Sequence, residues 1–180
     1  IAICDALLQC NKDYSKLEQK AIKCMQEYGR AYPDVGYGAG FYKWIHSENP
    51  QPYNSFGNGA AMRIGNIAYF ASSIKQCKEL SYKVTKVSHN HPEAIKGAES
   101  VAVAIWMLNN GKSKEEVLEY ISKYYYNFNF DYDKLVKGYH FDVTCQGTVP
   151  VAFFILSISN SFEDAIRKSI AILGDADTLT

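Results

Sequence analysis

The sequence predicts an all-α single domain, and three observations predict it. Capping boxes recur ahead of apolar residues at helical spacing. Only one short segment, Lys83 to Val87, alternates in the manner of a strand, and one strand makes no sheet. No linker, internal repeat or low-complexity tract divides the 180 residues. The expected architecture is a bundle of about eight helices, short ones included.

The elements follow in order. Ile1, Ile3, Ala6 and Leu7 begin an apolar helical pattern at once, so the sequence reads like a piece entered part-way through an element. Ser15-Lys16-Leu17-Glu18 has the capping-box form, with Leu17, Ala21, Cys24, Met25 and Tyr28 behind it and Pro33 as the stop. Ser73 to Gln76 is a second box, leading to Ile74, Cys77, Leu80 and Val84. Pro92 suits a first helical turn. The stripe Ala94, Ala98, Val101, Ile105 and Leu108 follows, and Gly111 closes the helix. Ser113 to Glu116 is a third box, ahead of Val117, Ile121 and Tyr124. Ser161 opens a helix whose expected inner face is Phe162, Ile166, Ile170 and Leu173.

Composition excludes several classes. Lys plus Arg and Asp plus Glu are 19 each, so no net charge recruits nucleic acid or an anionic membrane. The longest apolar run, Val149 to Leu156, falls far short of the roughly 18 residues of a membrane span. Five scattered cysteines without a C-x-x-C pair argue against a disulfide framework and for a reducing, cytoplasmic setting. A monomer is expected.

Four short stretches interrupt the helical routine. Gly174-Asp175-Ala176-Asp177-Thr178 offers carboxylate and hydroxyl oxygens, which suit hard cations such as Mg²⁺, Mn²⁺ or Ca²⁺, but on these residues alone the simpler reading leads, that Gly174 ends one helix and Asp177 caps the next. Gly57-Asn58-Gly59-Ala60-Ala61-Met62-Arg63 runs a Gly-rich loop into a small-residue helix, a form that serves either close packing or a ligand's approach. In Ser88-His89-Asn90-His91-Pro92-Glu93, two histidines precede a helix; they ligate a metal or contact a ligand, or His91 or Asn90 caps the helix and the other ring lies at the surface. Cys145 matches no cysteine-hydrolase signature and reads as a small buried residue.

Taken in order, GNGAAMR, SHNHPEAIKGAESVAVAI, TVPVAFFIL and SFEDAIRKSIAILGDADT closely resemble the ADP-ribosylglycohydrolase family, over most of the chain. The resemblance implies an all-α orthogonal bundle over 1–180. It implies Mg²⁺-dependent hydrolysis of the bond between ADP-ribose and an acceptor such as a protein side chain. It also implies two metal ions, Mg²⁺ or alternatively Mn²⁺, with Asp175, Asp177 and Thr178 as ligands and the two aspartates as the catalytic carboxylates. Gly57, Asn58, Gly59, Ala60 and Met62 would line the ADP-ribose pocket, with the Asn58 and Gly59 amides as a polar cradle. His89 would face the ligand, and Tyr37 would touch the nucleotide. One departure stands out. The family's early T-D-D motif is absent, as is the helix after G-D-x-D-T, so the chain is expected to be truncated at both ends. An inactive paralogue that binds ADP-ribose or serves as scaffold is the alternative this departure leaves. Acceptor choice is expected to lie in loops 42–56 and 124–142.

Overall fold

The computed structural model describes residues 1–180 and is helical throughout, without a sheet. Twelve α-helices form rather than about eight, and several of them are only one or two turns long. They are α1 (Ala2–Cys10), α2 (Leu17–Ala31), α3 (Ala39–His46), α4 (Gly59–Met62), α5 (Ile67–Phe70) and α6 (Ile74–Lys86). The second half adds α7 (Pro92–Asn109), α8 (Lys114–Tyr124), α9 (Tyr132–Gly138), α10 (Cys145–Ile158), α11 (Phe162–Ala171) and α12 (Ala176–Leu179). Helices α3 and α9 therefore occupy parts of the two segments expected to be rim loops.

The caps show which local signals act. Ser113 and Glu116 make the reciprocal capping box ahead of α8. Ser73 accepts from the Gln76 amide, while the Gln76 side chain reaches Ser72 instead. Ser161 caps α11 through the Asp164 amide. The box expected at Ser15 does not form. Asp13 accepts from the Ser15 amide and starts a 3₁₀ turn, Tyr14–Lys16, which runs directly into α2. Pro92 occupies the first turn of α7, His91 accepts from the Glu93 amide, and Gly111 takes the left-handed φ of 83° after the helix.

Helix α7 is the central element, and small residues make that possible. Ala94, Gly97, Ala98, Ser100, Ala102, Val103, Ala104 and Met107 are all buried, so more of its circumference is covered than one stripe supplies. Leu108, expected inside, is exposed. One core of thirty buried residues unites α1, α2, α6, α7, α8 and the start of α10. A second, of Val151, Phe154, Ile155, Ile172 and Leu179, joins α10, α11 and α12. This satellite holds the Gly174–Thr180 loop against the bundle. Its making overturns the expected face of α11. Phe162 and Leu173 are 83% and 80% exposed, and Ile170 is exposed too. The side that packs carries Ser169, whose single hydroxyl hydrogen lies between the Ala165 carbonyl at 2.9 Å and the Leu179 carbonyl at 3.3 Å.

No helix is long and apolar enough to cross a membrane. All five cysteines are unpaired.

Candidate functional site

Three distant segments converge on one cavity. Residues Phe56–Asn58 run antiparallel to Val143–Cys145, pairing through Asn58 N–H to the Val143 carbonyl at 2.8 Å and Cys145 N–H to the Phe56 carbonyl at 2.9 Å. The Asn58 side chain then reaches the terminal loop. Its amide donates to Asp175 Oδ2 at 2.6 Å, to Thr148 Oγ1 at 3.2 Å and to the Asp142 carbonyl at 3.3 Å. A primary amide has two N–H groups. One nitrogen thus braces Asp175, the N-terminus of α10 and the preceding loop together.

The terminal loop is shaped by the end of α11. Leu173 turns the chain with a left-handed φ of 58°, the role the sequence suggests for Gly174. Asp175, not Asp177, sits at the N-cap of α12, and its side chain makes no capping bond. It accepts instead from Asn58 and, at 3.4 Å, from the Thr178 hydroxyl. Burial and the neighbouring Asp177 carboxyl push the Asp175 pKa up, against the Asn58 bond. Neither aspartate has a lysine or arginine partner. Two adjacent carboxylates and a hydroxyl, with no counter-charge, fit a hard divalent cation by donor chemistry. They supply about half of the six oxygens that Mg²⁺ takes. No group of three or more His, Cys, Asp or Glu side chains gathers there.

The cavity has a volume of about 820 Å³, within the roughly 300–1,000 Å³ usual for small-ligand sites. Asp175, Asp177 and Thr178 line one end, and Gly57, Asn58, Gly59, Met62, Arg63 and His89 line the floor. Tyr28, Tyr37, Phe41, Tyr53 and Phe141 supply aromatic wall. Nine of the ten residues expected at the site therefore share it. Ala60 does not. It is fully buried on the inner side of α4 and packs into the core, so its small size serves the close fit of that helix. Asn58 also differs from expectation, since its backbone N–H is already bonded to Val143; its part is to brace Asp175.

His89 is not a surface ring. It is 5% exposed, with Phe41 and Tyr53 rings 6.2 and 5.6 Å away. Its Nε2 points past the two glycines; a Cβ on Gly57 or Gly59 would stand 3.5 or 3.9 Å from it. Its other nitrogen, Nδ1, lies 2.9 Å from Ser88 Oγ, and Arg63 Nη2 donates to the same oxygen at 2.8 Å. The Arg63 guanidinium lies over the Phe41 ring at 5.6 Å with no carboxylate partner, and its Nε–H is buried without an acceptor. Arg63, Ser88 and Tyr53 are not singled out by the sequence. The first two stood inside quoted motifs, but only the fold brings them together.

Burial, then the Arg63 charge, depresses the His89 pKa to about 3. The ring is therefore neutral in the native state while an unfolded histidine protonates near 6.5. As pH falls below about 6.5 the unfolded chain gains a proton that the native chain refuses, and stability drops until pH nears 3. The expected loss is about 2 kcal/mol between pH 6.5 and 5, at roughly 1.4 kcal/mol per unit. Denaturant titrations of the wild type and His89→Asn at both pH values check this; the variant should lose correspondingly less. Cys145 is equally unsuited to nucleophilic work. It is fully buried, its thiol pKa is pushed up to about 12 by burial, and it donates to the Gly57 carbonyl at 3.3 Å.

A helical bundle with a glycine-lined, aromatic-walled cavity ending in paired carboxylates is the arrangement the sequence motifs foreshadow. The family model for ADP-ribosylglycohydrolases matches residues 1–180, and the chain belongs to that family. A solved structure, an ADP-ribosylglycohydrolase-related protein complex, has the same fold, with a TM-score of 0.67 at 21% identity. The match covers 97% of this chain and 66% of that one, so the chain spans just under two thirds of its length. No curated protein matches.

Proposed function

We propose that the cavity binds ADP-ribose and that the protein hydrolyses the glycosidic bond joining ADP-ribose to an acceptor, a protein side chain or another group, with Mg²⁺ or Mn²⁺ at the carboxylate end. The observation that carries this reading is the Asn58–Asp175 bond of 2.6 Å, which fixes an uncompensated carboxylate pair at the end of a cavity of ligand size. Asp175, Asp177 and Thr178 would hold the metal. Bound there, a hard cation orients hydroxyl oxygens and lowers the pKa of a coordinated water.

The chain's own residues do the rest. Cleavage builds positive charge at the anomeric carbon. Asp177, exposed and lining the cavity, would place carboxylate oxygen at the same end as Asp175. Asn58 keeps Asp175 in place by a bond to its Oδ2, so that carboxylate is positioned before the ligand arrives. Gly57 and Gly59 leave the floor without side chains, which lets a sugar or phosphate approach the His89 ring closely. Tyr37, Phe41 and Tyr53 present ring faces and edges suited to stacking or to excluding water. No thiol or hydroxyl in the cavity is poised as a covalent nucleophile, which favours direct attack by water.

The test is a calorimetric titration of the full-length protein with ADP-ribose in Mg²⁺ and in EDTA. Binding that weakens by tenfold or more without metal is the expected result. Absence of binding in both conditions overturns the reading.

A further inference from the structure

We infer that Ser88 and Arg63 are positioning residues that hold His89 as the Nε2–H tautomer, so that its ring offers the cavity a fixed hydrogen-bond donor. The inference deepens the ADP-ribose reading and, for what the donor meets, rests on it.

The hydrogen-bond inventory around Ser88 carries it. Ser88 is fully buried, and its hydroxyl oxygen has two polar neighbours, Arg63 Nη2 at 2.8 Å and His89 Nδ1 at 2.9 Å. A guanidinium only donates. Arg63 therefore takes up a lone pair on Oγ and offers nothing to the Ser88 hydrogen. The one acceptor within reach of that hydrogen is Nδ1. If Nδ1 carried the proton instead, the Ser88 hydrogen would be left buried without an acceptor, which native interiors avoid. Nδ1 is thus the acceptor, and the ring's single proton sits on Nε2. Protonating both nitrogens is opposed by burial and by the Arg63 charge. Tyr53 is the other titratable side chain against the ring.

The consequence is chemical. Nε2–H faces the gap above Gly57 and Gly59, where neither glycine adds a side chain and Ser55 Oγ is the nearest other polar atom, 3.3 Å from the Gly57 Cβ position. A neutral, desolvated N–H donor is complementary to an oxygen acceptor, a phosphate or hydroxyl oxygen of ADP-ribose. It is unsuited to removing a proton from water. His89 on this account grips the ligand, and the base is to be sought among the carboxylates.

The experiment is a long-range ¹H–¹⁵N correlation spectrum of the His89 ring in ¹⁵N-labelled full-length protein without ligand. The expected wild-type pattern is a pyrrole-type Nε2 and a pyridine-type Nδ1, unchanged from pH 8 to 5. Ser88→Ala should bring both nitrogens to intermediate shifts, and Ser88→Thr should restore them. Arg63→Lys, still a pure donor, should keep the pattern. Arg63→Gln, which can accept the Ser88 hydrogen, should loosen it. A wild-type Nδ1–H pattern, or a Ser88→Ala spectrum identical to wild type, overturns the proposal. ADP-ribose is then titrated. Ser88→Ala should weaken its binding about three- to tenfold while Ser88→Thr stays close to wild type. No ADP-ribose binding by the wild type sinks the ligand reading alone, because the tautomer is decided on the unliganded spectra.

Discussion

Asp175→Asn and Asp177→Asn should each remove detectable Mg²⁺ or Mn²⁺ binding and lower ADP-ribose release by at least about a hundredfold, the scale set when several kcal/mol of metal-supplied stabilisation are lost. Helicity should stay at the wild-type level. Both carboxylates sit at the end of the cavity, and neither is neutralised by a basic side chain. The two variants should differ in stability. Asp175 accepts from Asn58 and Thr178, so an amide there sets a donor against a donor in one rotamer. Asp177 is exposed and makes no such bond, so its variant should fold as well as the wild type. Metal binding by calorimetry, turnover on the full-length protein and far-UV circular dichroism check the set. Wild-type release by both variants would remove the aspartates from the mechanism.

Gly97→Val should destabilise the fold by about 3 kcal/mol or more. Helix α7 meets the first turn of α10 at Gly97. A Cβ there would lie 2.9 Å from both Cβ and Sγ of Cys145 and 3.4 Å from the Tyr126 hydroxyl. Those neighbours cannot swing aside. Cys145 is fully buried, donates to Gly57 and pairs through its backbone with Phe56, so pushing it moves the cavity floor as well. For a chain of this size the melting temperature should fall by roughly 6–12 °C. Gly97→Ala should fall in the same direction by less. Thermal unfolding followed at 222 nm reads both, and a Gly97→Val protein as stable as wild type would mean that α7 and α10 do not meet this closely.

What the sequence revealed and what it concealed divide along chain separation. Helix existence was legible because caps and apolar spacing act within a few residues; Ser113 with Glu116 and Pro92 with Gly111 stand where expected. The Ser15 box failed because Asp13, two residues earlier, captured the Ser15 amide first. The packed face of α11 differs from the expected one for another reason. Phe162, Ile166, Ile170 and Leu173 do form an apolar stripe, but periodicity identifies a stripe without saying what covers it. The packing side is set by Ile172 and Ser169 meeting Leu179. At the site, the motifs pointed to the right loops, yet the bonds that organise them are long-range. Asn58 and Asp175 are 117 residues apart, and Arg63 and Ser88 are 25 apart. No local pattern encodes such pairings. The same motif residues also do unlike work, since Gly57 and Gly59 line the cavity while Ala60 packs behind it.

We propose that this cavity releases ADP-ribose with the help of a metal held at Asp175 and Asp177. The most direct measurement is the appearance of free ADP-ribose from an ADP-ribosylated arginine or serine peptide mixed with full-length protein, in Mg²⁺ and in EDTA. Release that requires the metal and stops in Asp177→Asn is the predicted result. Release that is the same in EDTA and persists in Asp177→Asn would contradict the account.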